Sequence, residues 1–383
     1  MAIQLEKYKA GHWQPGIGYK YFIPTMINHQ WQWNDTQINT LLEKASIRLG
    51  ELNSYAKLVP NIDLFIALHV TKEAVISSRI EGTQTNLSEA ILPEEEVEPE
   101  RRNDWIEVNN YTKAMNQAIE MLNRLPLSSR LLKQSHKQLM TGVRGEHKLP
   151  GDFRTSQNWI GGSGPVDAVF VPPAHNYVEE LIGDLENFLH NDSISVPALI
   201  RIGIAHYQFE TIHPFLDGNG RIGRLLITLF LVDQKILSQP LLYLSAYFES
   251  NKGRYYENLT RVREKNDMIQ WIKYFLIGVE KTALDAGKTL SKIINLKKEL
   301  EASIHQNWGR RMKPALILLN HLFIQPLVTV KSTKELCKLS NKAAGELVDS
   351  FEKAGILKEQ TGQSRNRLFL FIRYLDLFEA ASP

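Results

Sequence analysis

The chain has 383 residues, of which 43% are hydrophobic and 23% charged, and its formal net charge is +3. This length predicts two or three folded units, and the composition excludes a disordered chain and a membrane protein. The longest apolar run, Leu225 to Val232, has only 8 residues even with Thr228 included, whereas a bilayer span requires about 20. The first residues lack the basic-then-apolar layout of a signal peptide. We therefore expect a cytoplasmic protein with no membrane partner.

Charge is unevenly distributed along the chain. Residues 288–383 contain 16 basic and 9 acidic side chains, a net charge of +7, which leaves −4 for residues 1–287. Together with the periodicity below, this shift predicts an N-terminal arm with a helix over 1–103, a mainly α body over 104–287 and a C-terminal domain over 288–383. Cys337 is the only cysteine, which excludes an internal disulfide and a thiolate metal cluster within one chain.

The N-terminal region combines an arm with one helix. The first 60 residues are rich in aromatic side chains and weakly periodic, whereas Asp63 to Glu81 shows a helical pattern closed by Gly82. The acidic stretch that follows, residues 94–100, contains Pro99 and comes directly after Pro93. It predicts a solvated connection rather than a docking site.

The middle region is predominantly helical, with one exception. From Asp104 to Lys281, apolar residues recur at spacings of three and four, which is typical of helices. Residues 153–173 instead place glycines and prolines around short apolar segments, which predicts an exposed hairpin. Its free edge could bind an extended peptide; a surface excursion without function explains the sequence equally well.

The C-terminal region has the pattern of a small helical domain with a wing. Two helical segments, Met312 to Phe323 and Ser332 to Leu339, precede a third that Ser340 caps and Gly355 ends. Two short strands around a turn at 361–363 follow. This order predicts a winged helix-turn-helix.

Residues 213–224 contain the densest set of candidate functional side chains. Gly218, Gly220 and Gly223 match the dinucleotide pattern G-x-G-x-x-G, but that site needs a strand before it and an acidic residue about 20 positions later. A helical pattern and a proline precede it here. The alternative is a phosphate cradle, in which Gly218, Asn219 and Gly220 adopt positive backbone angles at a helix N-terminus. Arg221 and Arg224 share one helix face and suit a polyphosphate.

Three further residues complete the hypothesis of a phosphate site. Asp217 is placed to hold a Mg²⁺ ion that bridges phosphate oxygens. His213 is suited to accept a proton from an incoming hydroxyl near neutral pH, and Phe215 is expected to anchor the loop. Four other histidines lack metal-ligand spacing and are expected to be structural: His136, His147, His175 and His206.

The motif resembles the signature of the Fic family, H-x-F-x-[D/E]-G-N-G-R-x-x-R. All eight specified positions are present: His213, Phe215, Asp217, Gly218, Asn219, Gly220, Arg221 and Arg224. The resemblance implies a helical Fic-type core, with the 153–173 hairpin as the flap that binds a target protein. It also implies a protein adenylyltransferase, a nucleotidyltransferase that moves AMP from ATP, with Mg²⁺, to a Ser, Thr or Tyr hydroxyl. Further nucleotide contacts are expected from Ile222, Gly223, Tyr256 and Asn266.

The end of the first predicted helix is similar to the inhibitory motif of the same family, [S/T]-x-x-x-E-[G/N], here Ser77, Glu81 and Gly82. Glu81 lies in the last helical turn, where the helix dipole disfavours an anion. By this resemblance, Glu81 pairs with Arg224 and occupies the space that the γ-phosphate of ATP requires. The reverse reaction, removal of AMP from a modified protein, is a related alternative in which Glu81 assists an attacking water.

A DNA-binding regulator with a nucleotide-sensing domain is the alternative function. The net charge of +7 favours it, and Arg365 and Arg367 at the wing could contact a phosphate backbone. The helix expected to enter a groove carries Glu346, Asp349 and Glu352, which would repel phosphates. The sequence therefore favours protein docking or homodimer formation by this domain. It leaves open the oligomeric state, the target protein and the signal that relieves inhibition.

Overall fold

A computed structural model of the protein describes residues 2–58, 62–142, 145, 147–363 and 366–379. The described chain is mainly helical, as predicted. Four strands come first: β1 (Ala2–Gln4), β2 (Gly11–Pro15), β3 (Lys20–Pro24) and β4 (Gln30–Gln32). β1 pairs in parallel with β4, and β2 pairs antiparallel with β3. The predicted arm therefore contains two small sheets.

Five helices follow: α1 (Thr36–Leu58), α2 (Asp63–Ile80), α3 (Leu87–Ala90), α4 (Arg102–Leu122) and α5 (Ser129–Leu139). The helix predicted to end at Gly82 is α2, and Gly82 has a φ of +109°, which suits a glycine just past a helix end. The sequence analysis missed α1, although Ile38, Ala45 and Leu52 are buried at helical spacing. α1 packs along a later helix, Met268–Asn307.

Six helices form the centre of the molecule: α6 (Val178–His190), α7 (Ala198–Ile212), α8 (Asn219–Asp233), α9 (Ser245–Ser250), α10 (Lys252–Lys265) and α11 (Met268–Asn307). Residues 199–212 of α7 are all buried, because α6, α8 and α11 pack around this helix. α7 and α8 thus supply a rigid base for the loop that joins them. Within the described ranges, no helix has both the length and the apolar character needed to span a membrane.

α11 continues across the predicted domain boundary at 287/288. Its buried positions keep the same spacing on both sides of that point, from Ala283 and Ala286 to Leu290 and Ile293. The body and the C-terminal region therefore share one helix. The division into three domains stays a prediction.

The C-terminal region contains α12 (Met312–Ile324), β5 (Leu327–Val328), α13 (Val330–Cys337), α14 (Asn341–Lys353), β6 (Lys358–Glu359), β7 (Phe369–Leu370) and α15 (Ile372–Glu379). The strand order in the sheet is β5-β7-β6. Ser340 caps α14 by accepting a hydrogen bond from the Ala343 N–H at 3.2 Å, as predicted. This element order is the one expected of a winged helix-turn-helix; β5 and α15 were not predicted. Arg365 lies outside the described residues.

The predicted hairpin over 153–173 is a loop closed by one bridge. The Ile160 N–H donates to the Phe170 carbonyl oxygen at 2.9 Å, and the other residues of the loop form no regular strand. Val171 extends the contact to the arm, because its carbonyl oxygen accepts a hydrogen bond from the N–H of Phe22 in β3 at 3.0 Å. Val166 and Val169, at the tip, are 78% and 77% exposed.

Candidate functional site

Residues 213–218 form the loop between α7 and α8, and the backbone is left-handed at both ends of this loop. His213 has a φ of +50° at the end of α7, and Gly218 has a φ of +73° before α8. Glycine adopts this conformation readily, whereas a residue with a side chain is strained in it. Strain of this kind persists only where neighbouring contacts maintain it, and it is frequent at functional sites.

Arg154 supplies such contacts. Its Nε donates to the His213 carbonyl oxygen at 2.9 Å, and its Nη2 donates to the carbonyl oxygens of Ile212 at 3.3 Å and Pro173 at 2.5 Å. Arg154 is only 2% exposed. Arg154 therefore connects the flap, residues 153–173, to the loop that joins α7 and α8. Arg154 was not predicted from the sequence. No local pattern shows that a charged residue of the flap packs against a loop that lies about 60 positions later in the chain.

Asn158 makes a similar connection from the same flap. Its Nδ2 donates to the carbonyl oxygens of His213 at 3.1 Å and Phe215 at 2.9 Å. The sequence analysis missed this residue as well. The carbonyl of His213 thus accepts hydrogen bonds from two side chains, which holds the residue in its strained conformation.

Replacing Arg154 with methionine should lower the free energy of unfolding by about 2 to 4 kcal/mol, because several buried carbonyl groups would lose their donor. Chemical denaturation of the full chain measures the change. Arg130→Met, at an exposed position of α5, is the matched control and should change stability by less than about 0.5 kcal/mol. Equal stabilities for the two variants would contradict this role of Arg154.

Phe215 anchors the loop, as predicted. Its ring is fully buried and stacks on His136, with ring centroids 3.8 Å apart. His136 Nδ1 accepts a hydrogen bond from the Gly151 N–H at 2.9 Å, so its Nε2 carries the proton and donates to the Asp217 carbonyl oxygen at 3.0 Å. Burial lowers the pKa of His136 to about 4. His136 is therefore a neutral structural residue.

The predicted cradle needs one correction. Gly218 has a positive φ, but α8 begins at Asn219, so Asn219 and Gly220 are helical rather than left-handed. The Asn219 side chain closes the loop: its Oδ1 accepts from the Phe215 N–H at 2.8 Å and its Nδ2 donates to the Phe215 carbonyl at 2.8 Å. The first N–H groups of a helix lack partners within it and attract anions. The cradle is thus the N-terminus of α8 itself.

Two side chains from outside α8 explain why this helix has glycine at positions 220 and 223. A Cβ atom on Gly220 would lie 2.2 Å from Glu81 Oε1, and one on Gly223 would lie 2.2 Å from Glu210 Oε1. Ile222 is 1% exposed and its N–H donates to the Gly218 carbonyl at 3.1 Å. Ile222 and Gly223 were expected to contact nucleotide. In the structure both residues pack within and around α8, and a nucleotide contact by either stays a prediction.

Glu81 and Arg224 form an ion pair beside the N-terminus of α8. Arg224 Nη2 donates to Glu81 Oε1 at 2.7 Å and to the Ser77 carbonyl at 2.8 Å, and its Nε donates to Ser77 Oγ at 2.8 Å. Ser77 lies in the last turn of α2, and Gly82 ends that turn. The structure thus brings together Glu81 and Arg224, which the resemblance predicted to pair. The contacts of Arg224 with Ser77 were not predicted.

The charges of this pair stabilise each other. Burial tends to raise the pKa of the Glu81 carboxyl, but the charge of Arg224 and the hydrogen bond from it outweigh burial, so this pKa lies below its ordinary value. Burial likewise tends to lower the pKa of Arg224, and Glu81 more than reverses that effect. Both groups are therefore ionised at neutral pH. The Glu81 carboxylate stands at the end of α8 where a phosphate anion would bind.

Arg221 and Asp217 also lie at this end of α8. Arg221, 4% exposed, pairs with Glu107 at 3.2 Å and lies 3.8 Å from Asp217 Oδ1. The Asp217 side chain is 49% exposed. The described residues include no cluster of three or more potential metal ligands. One accessible carboxylate fits a Mg²⁺ ion whose other ligands are phosphate oxygens and waters, which is how proteins commonly bind this ion.

His213 is neutral in this site. Burial lowers its pKa to about 4, and the charges of Arg154 and Arg263 act in the same direction. His213 Nδ1 lies 3.4 Å from the Glu210 carbonyl oxygen. Because a carbonyl oxygen can only accept, this contact requires the proton on Nδ1, which leaves Nε2 able to accept a proton from a substrate.

The structure distinguishes Tyr255 from Tyr256. The Tyr255 hydroxyl lies 3.0 Å from His206 Nε2 in the core, and His206 Nδ1 lies 2.9 Å from the Gly223 carbonyl oxygen, so both residues are structural. Tyr256 is 42% exposed. Burial of its hydroxyl and the nearby charge of Glu81 raise its pKa to about 12. Tyr256 therefore lies partly exposed and near Glu81, and its contact with a nucleotide stays a prediction.

Asn266 has a structural partner. It ends α10 with a φ of +58°, and its Oδ1 accepts a hydrogen bond from the Ala10 N–H at 2.8 Å. This contact connects α10 to the N-terminal arm. A role for Asn266 at the nucleotide base stays a prediction.

Two charged residues that the sequence analysis missed border the site. Glu210 is buried next to α8, and burial raises the pKa of its carboxyl to about 7. The guanidinium of Arg263 lies 3.8 Å from the ring centroid of Phe170 in the flap, and its Nε donates to Thr211 Oγ1 at 3.3 Å. Arg263 therefore connects α10 with the flap and with α7. Neither residue belongs to a sequence pattern that would have indicated this position.

Comparison with known proteins gives two family matches that contain the site. A model of the Fic/DOC family N-terminal region matches residues 39–120, and a model of the Fic/DOC family matches residues 126–231. The chain thus contains a Fic/DOC domain, preceded by the N-terminal region of that family. The first match contains Ser77 and Glu81, and the second, the Fic domain, contains the loop and the start of α8.

Curated relatives of this Fic protein are named as adenylyltransferases. A protein adenylyltransferase of Caenorhabditis briggsae is 31% identical over 165 residues, which are 40% of this chain and 30% of the relative. A protein of Aquifex aeolicus named as a probable protein adenylyltransferase is 33% identical over 135 residues, 33% of this chain and 40% of the relative. The chain thus matches well under half of the length of these relatives.

Solved structures share the fold of this Fic protein. A Fic family protein from Desulfovibrio desulfuricans superposes with a TM-score of 0.53 at 19% identity, covering 87% of this chain and 95% of that one. A Fic-domain signalling protein from Bacteroides thetaiotaomicron gives 0.52 at 16% identity, covering 67% and 97%. The Fic fold is therefore common to these chains.

Proposed function

We propose that the protein is a protein adenylyltransferase that moves AMP from ATP to a Ser, Thr or Tyr hydroxyl of a target protein and that Glu81 inhibits it. The observation that carries the proposal is the Glu81–Arg224 ion pair of 2.7 Å at the N-terminus of α8. It places an anion of the protein where an anionic substrate would bind. Transfer of radiolabelled AMP to protein by a variant without this carboxylate tests the proposal.

In the proposed reaction, His213 accepts the proton of the target hydroxyl as its oxygen attacks the α-phosphorus of ATP. The bond to the β-phosphate breaks and pyrophosphate leaves. General-base assistance contributes about 10² to 10⁴ in rate. The N-terminus of α8 stabilises the negative charge that develops on the phosphoryl oxygens, because its N–H groups are already oriented. Asp217 would hold Mg²⁺, which when bound neutralises phosphate charge.

Arg224 links catalysis to inhibition. When Glu81 withdraws, the guanidinium still donates two hydrogen bonds to Ser77 and can pair with the terminal phosphates. Suppressing the reaction a hundredfold requires about 2.7 kcal/mol, at about 1.4 kcal/mol for each factor of ten. One charge-assisted hydrogen bond contributes about 1.5 to 3 kcal/mol. The single contact from Glu81 is therefore sufficient as a switch.

The target protein is proposed to bind along the 153–173 flap. The flap is connected to His213 through Arg154 and Asn158, so a segment held by it would lie near the general base. Val166 and Val169 offer exposed apolar contacts at its tip. In the reverse reaction, the Glu81 carboxylate could instead orient a water toward an AMP-modified residue.

The pH dependence of AMP transfer should report the lowered pKa of His213. With Glu81 replaced by glycine, kcat/KM should stay constant between about pH 6 and 8, because the imidazole is neutral throughout this range, and should fall below about pH 5 as it gains a proton. Circular dichroism at each pH separates protonation from unfolding. A fall that begins near pH 7 would show an ordinary histidine pKa and contradict the electrostatics described for the site.

DNA binding by the C-terminal region is less well supported. Glu346 pairs with Arg311 at 2.8 Å, and Asp349 of the same helix lies 3.7 Å from Arg367. These contacts engage two of the arginines that would otherwise be available to a phosphate backbone. The net charge of +7 over 288–383 remains the argument in favour, and protein docking or homodimer formation by this region remains the proposal.

A further inference from the structure

The last turn of α2 leads directly into Glu81, so the contacts of this turn determine where the Glu81 carboxylate lies. The last four carbonyl groups of a helix have no N–H partner within it. In α2 these groups belong to Ser77, Ser78, Arg79 and Ile80. Two of them are satisfied by the chain that follows. The Ser78 carbonyl accepts a hydrogen bond from the Glu81 N–H at 3.0 Å, and the Arg79 carbonyl accepts one from the Gly82 N–H at 3.0 Å.

The other two carbonyl groups accept hydrogen bonds from cationic side chains of later helices. Arg224 Nη2, in α8, donates to the Ser77 carbonyl at 2.8 Å. Lys252 Nζ, in α10, donates to the Ile80 carbonyl at 2.7 Å. Arg224 is the side chain that the terminal phosphates of ATP would engage in the proposed reaction. Lys252 instead contacts the backbone one residue before Glu81, and it is not part of the candidate site.

Lys252 and Glu81 each lie at a helix end that disfavours their charge. Lys252 is the first residue of α10, where the positive end of the helix dipole repels a cation. Glu81 follows the last residue of α2, where the negative end repels an anion. The hydrogen bond to Ile80 places the Lys252 ammonium group at the negative end of α2. The lysine therefore compensates this helix end next to Glu81.

A second contact joins the same turn to α9, but it is weaker. Arg79 Nη1 lies 3.4 Å from Glu249 Oε1, and the two side chains are 42% and 31% exposed. Ion pairs between solvent-exposed side chains contribute little to stability. The hydrogen bond from Lys252 is shorter, and its acceptor is a carbonyl group at a helix end, where the dipole also favours a cation. Lys252 is therefore the main contact of this turn outside the candidate site.

We propose that Lys252 is a positioning residue for inhibition, which holds the end of α2 so that Glu81 stays against Arg224. When the terminal phosphates of ATP compete for Arg224, the contact between Lys252 and Ile80 keeps the last turn of α2 in place. Glu81 then remains close enough to compete with the phosphates. Inhibition thus depends on α10 as well as on α8. This inference rests on the inhibitory role proposed for Glu81.

The test measures transfer of radiolabelled AMP by the full-length protein with and without Glu81. Lys252→Met should raise transfer about fivefold, which corresponds to about 1 kcal/mol and to the usual contribution of a cation at a helix C-terminus. In the Glu81→Gly protein the same substitution should leave transfer unchanged, because the residue that Lys252 positions is absent. Lys252→Arg keeps a cation at this place and should restore inhibition.

Lys265→Met is the matched control, since Lys265 is an exposed lysine of the same helix, and it should transfer AMP like the unaltered protein. Thermal melting verifies that each variant is folded. A rise of equal size with and without Glu81 would show that Lys252 acts on catalysis directly and would overturn the inference. Unchanged transfer by Lys252→Met, beside an activated Glu81→Gly protein, would overturn it as well.

Hydrogen exchange without ATP tests the contact independently of the transferase activity. The amides of Glu81, Gly82 and Thr83 donate to carbonyl groups of the last turn of α2. Their exchange should be about fivefold faster in Lys252→Met than in the unaltered protein and unchanged in Lys265→Met. Equal exchange in the two variants would overturn the inference. If Glu81→Gly fails to raise transfer, the proposed inhibition is wrong, whereas the exchange rates still decide whether Lys252 holds the end of α2.

Discussion

Replacing Glu81 with glycine is expected to raise the transfer of AMP to protein by about a hundredfold, which corresponds to the loss of one charge-assisted hydrogen bond to Arg224. The substitution removes the carboxylate from the N-terminus of α8 and leaves Arg224 bound to Ser77. Incorporation of radiolabel from ATP labelled at the α-phosphate, with Mg²⁺ and a cell lysate as the source of targets, measures the change. Mass spectrometry of the labelled protein identifies the acceptor residue.

Glu94→Gly is the matched control for this experiment. Glu94 is an exposed acid in the connection that follows α3, so its loss changes the net charge equally without affecting α8. Transfer should remain at the low level of the unaltered protein. If Glu81→Gly and Glu94→Gly label targets equally weakly, Glu81 does not inhibit the reaction, whatever its contact with Arg224.

Replacing His213 with alanine in the Glu81→Gly protein should then reduce transfer by about 10² to 10⁴, the usual contribution of a general base. The expected loss is in the rate and not in nucleotide binding, because the N-terminus of α8 and its arginines remain in place. Single-turnover labelling measures the rate, and isothermal titration calorimetry measures the affinity for ATP.

His175→Ala in the same background controls for the loss of an imidazole. His175 is exposed, just beyond the flap, and its replacement should leave the rate unchanged. An undiminished rate in the His213→Ala protein would remove His213 from the mechanism. A rate that falls only in proportion to a loss of ATP affinity would assign His213 to binding instead of proton transfer.

Local signals in the sequence predicted several elements almost to the residue. Ser340 and Gly355 delimit α14, and Gly82 marks the end of α2, because capping hydrogen bonds and positive φ angles depend on residue types within one turn. The apolar residues of α1 also recur at helical spacing, so this helix too was predictable from the sequence. β5 has only two residues, too few for a detectable alternation, and exists because β7 pairs with it.

Contacts between distant segments were not predictable in this way. Arg154 and Asn158 of the flap both donate to the His213 carbonyl. No spacing within the flap indicates which later loop will lie above it. Tyr255 and Tyr256 are adjacent and chemically identical, so only the packing of α10 against the core decides which of them lies partly exposed and near Glu81.

The sequence by itself determined which residues form the candidate site. The residues from His213 to Arg224 are contiguous, and a loop followed by one helical turn places them together. It could not determine the state of that site. Glu81 and Arg224 are 143 positions apart, and their contact depends on how α2 packs against α4, α8 and α9. The need for glycine at 220 likewise arises from the Glu81 carboxylate. The family resemblance predicted the contact between Glu81 and Arg224, but residue spacing could not. Tertiary packing places Glu81 at the N-terminus of α8, because contacts between helices, unlike caps and turns, depend on surfaces that are far apart in the chain.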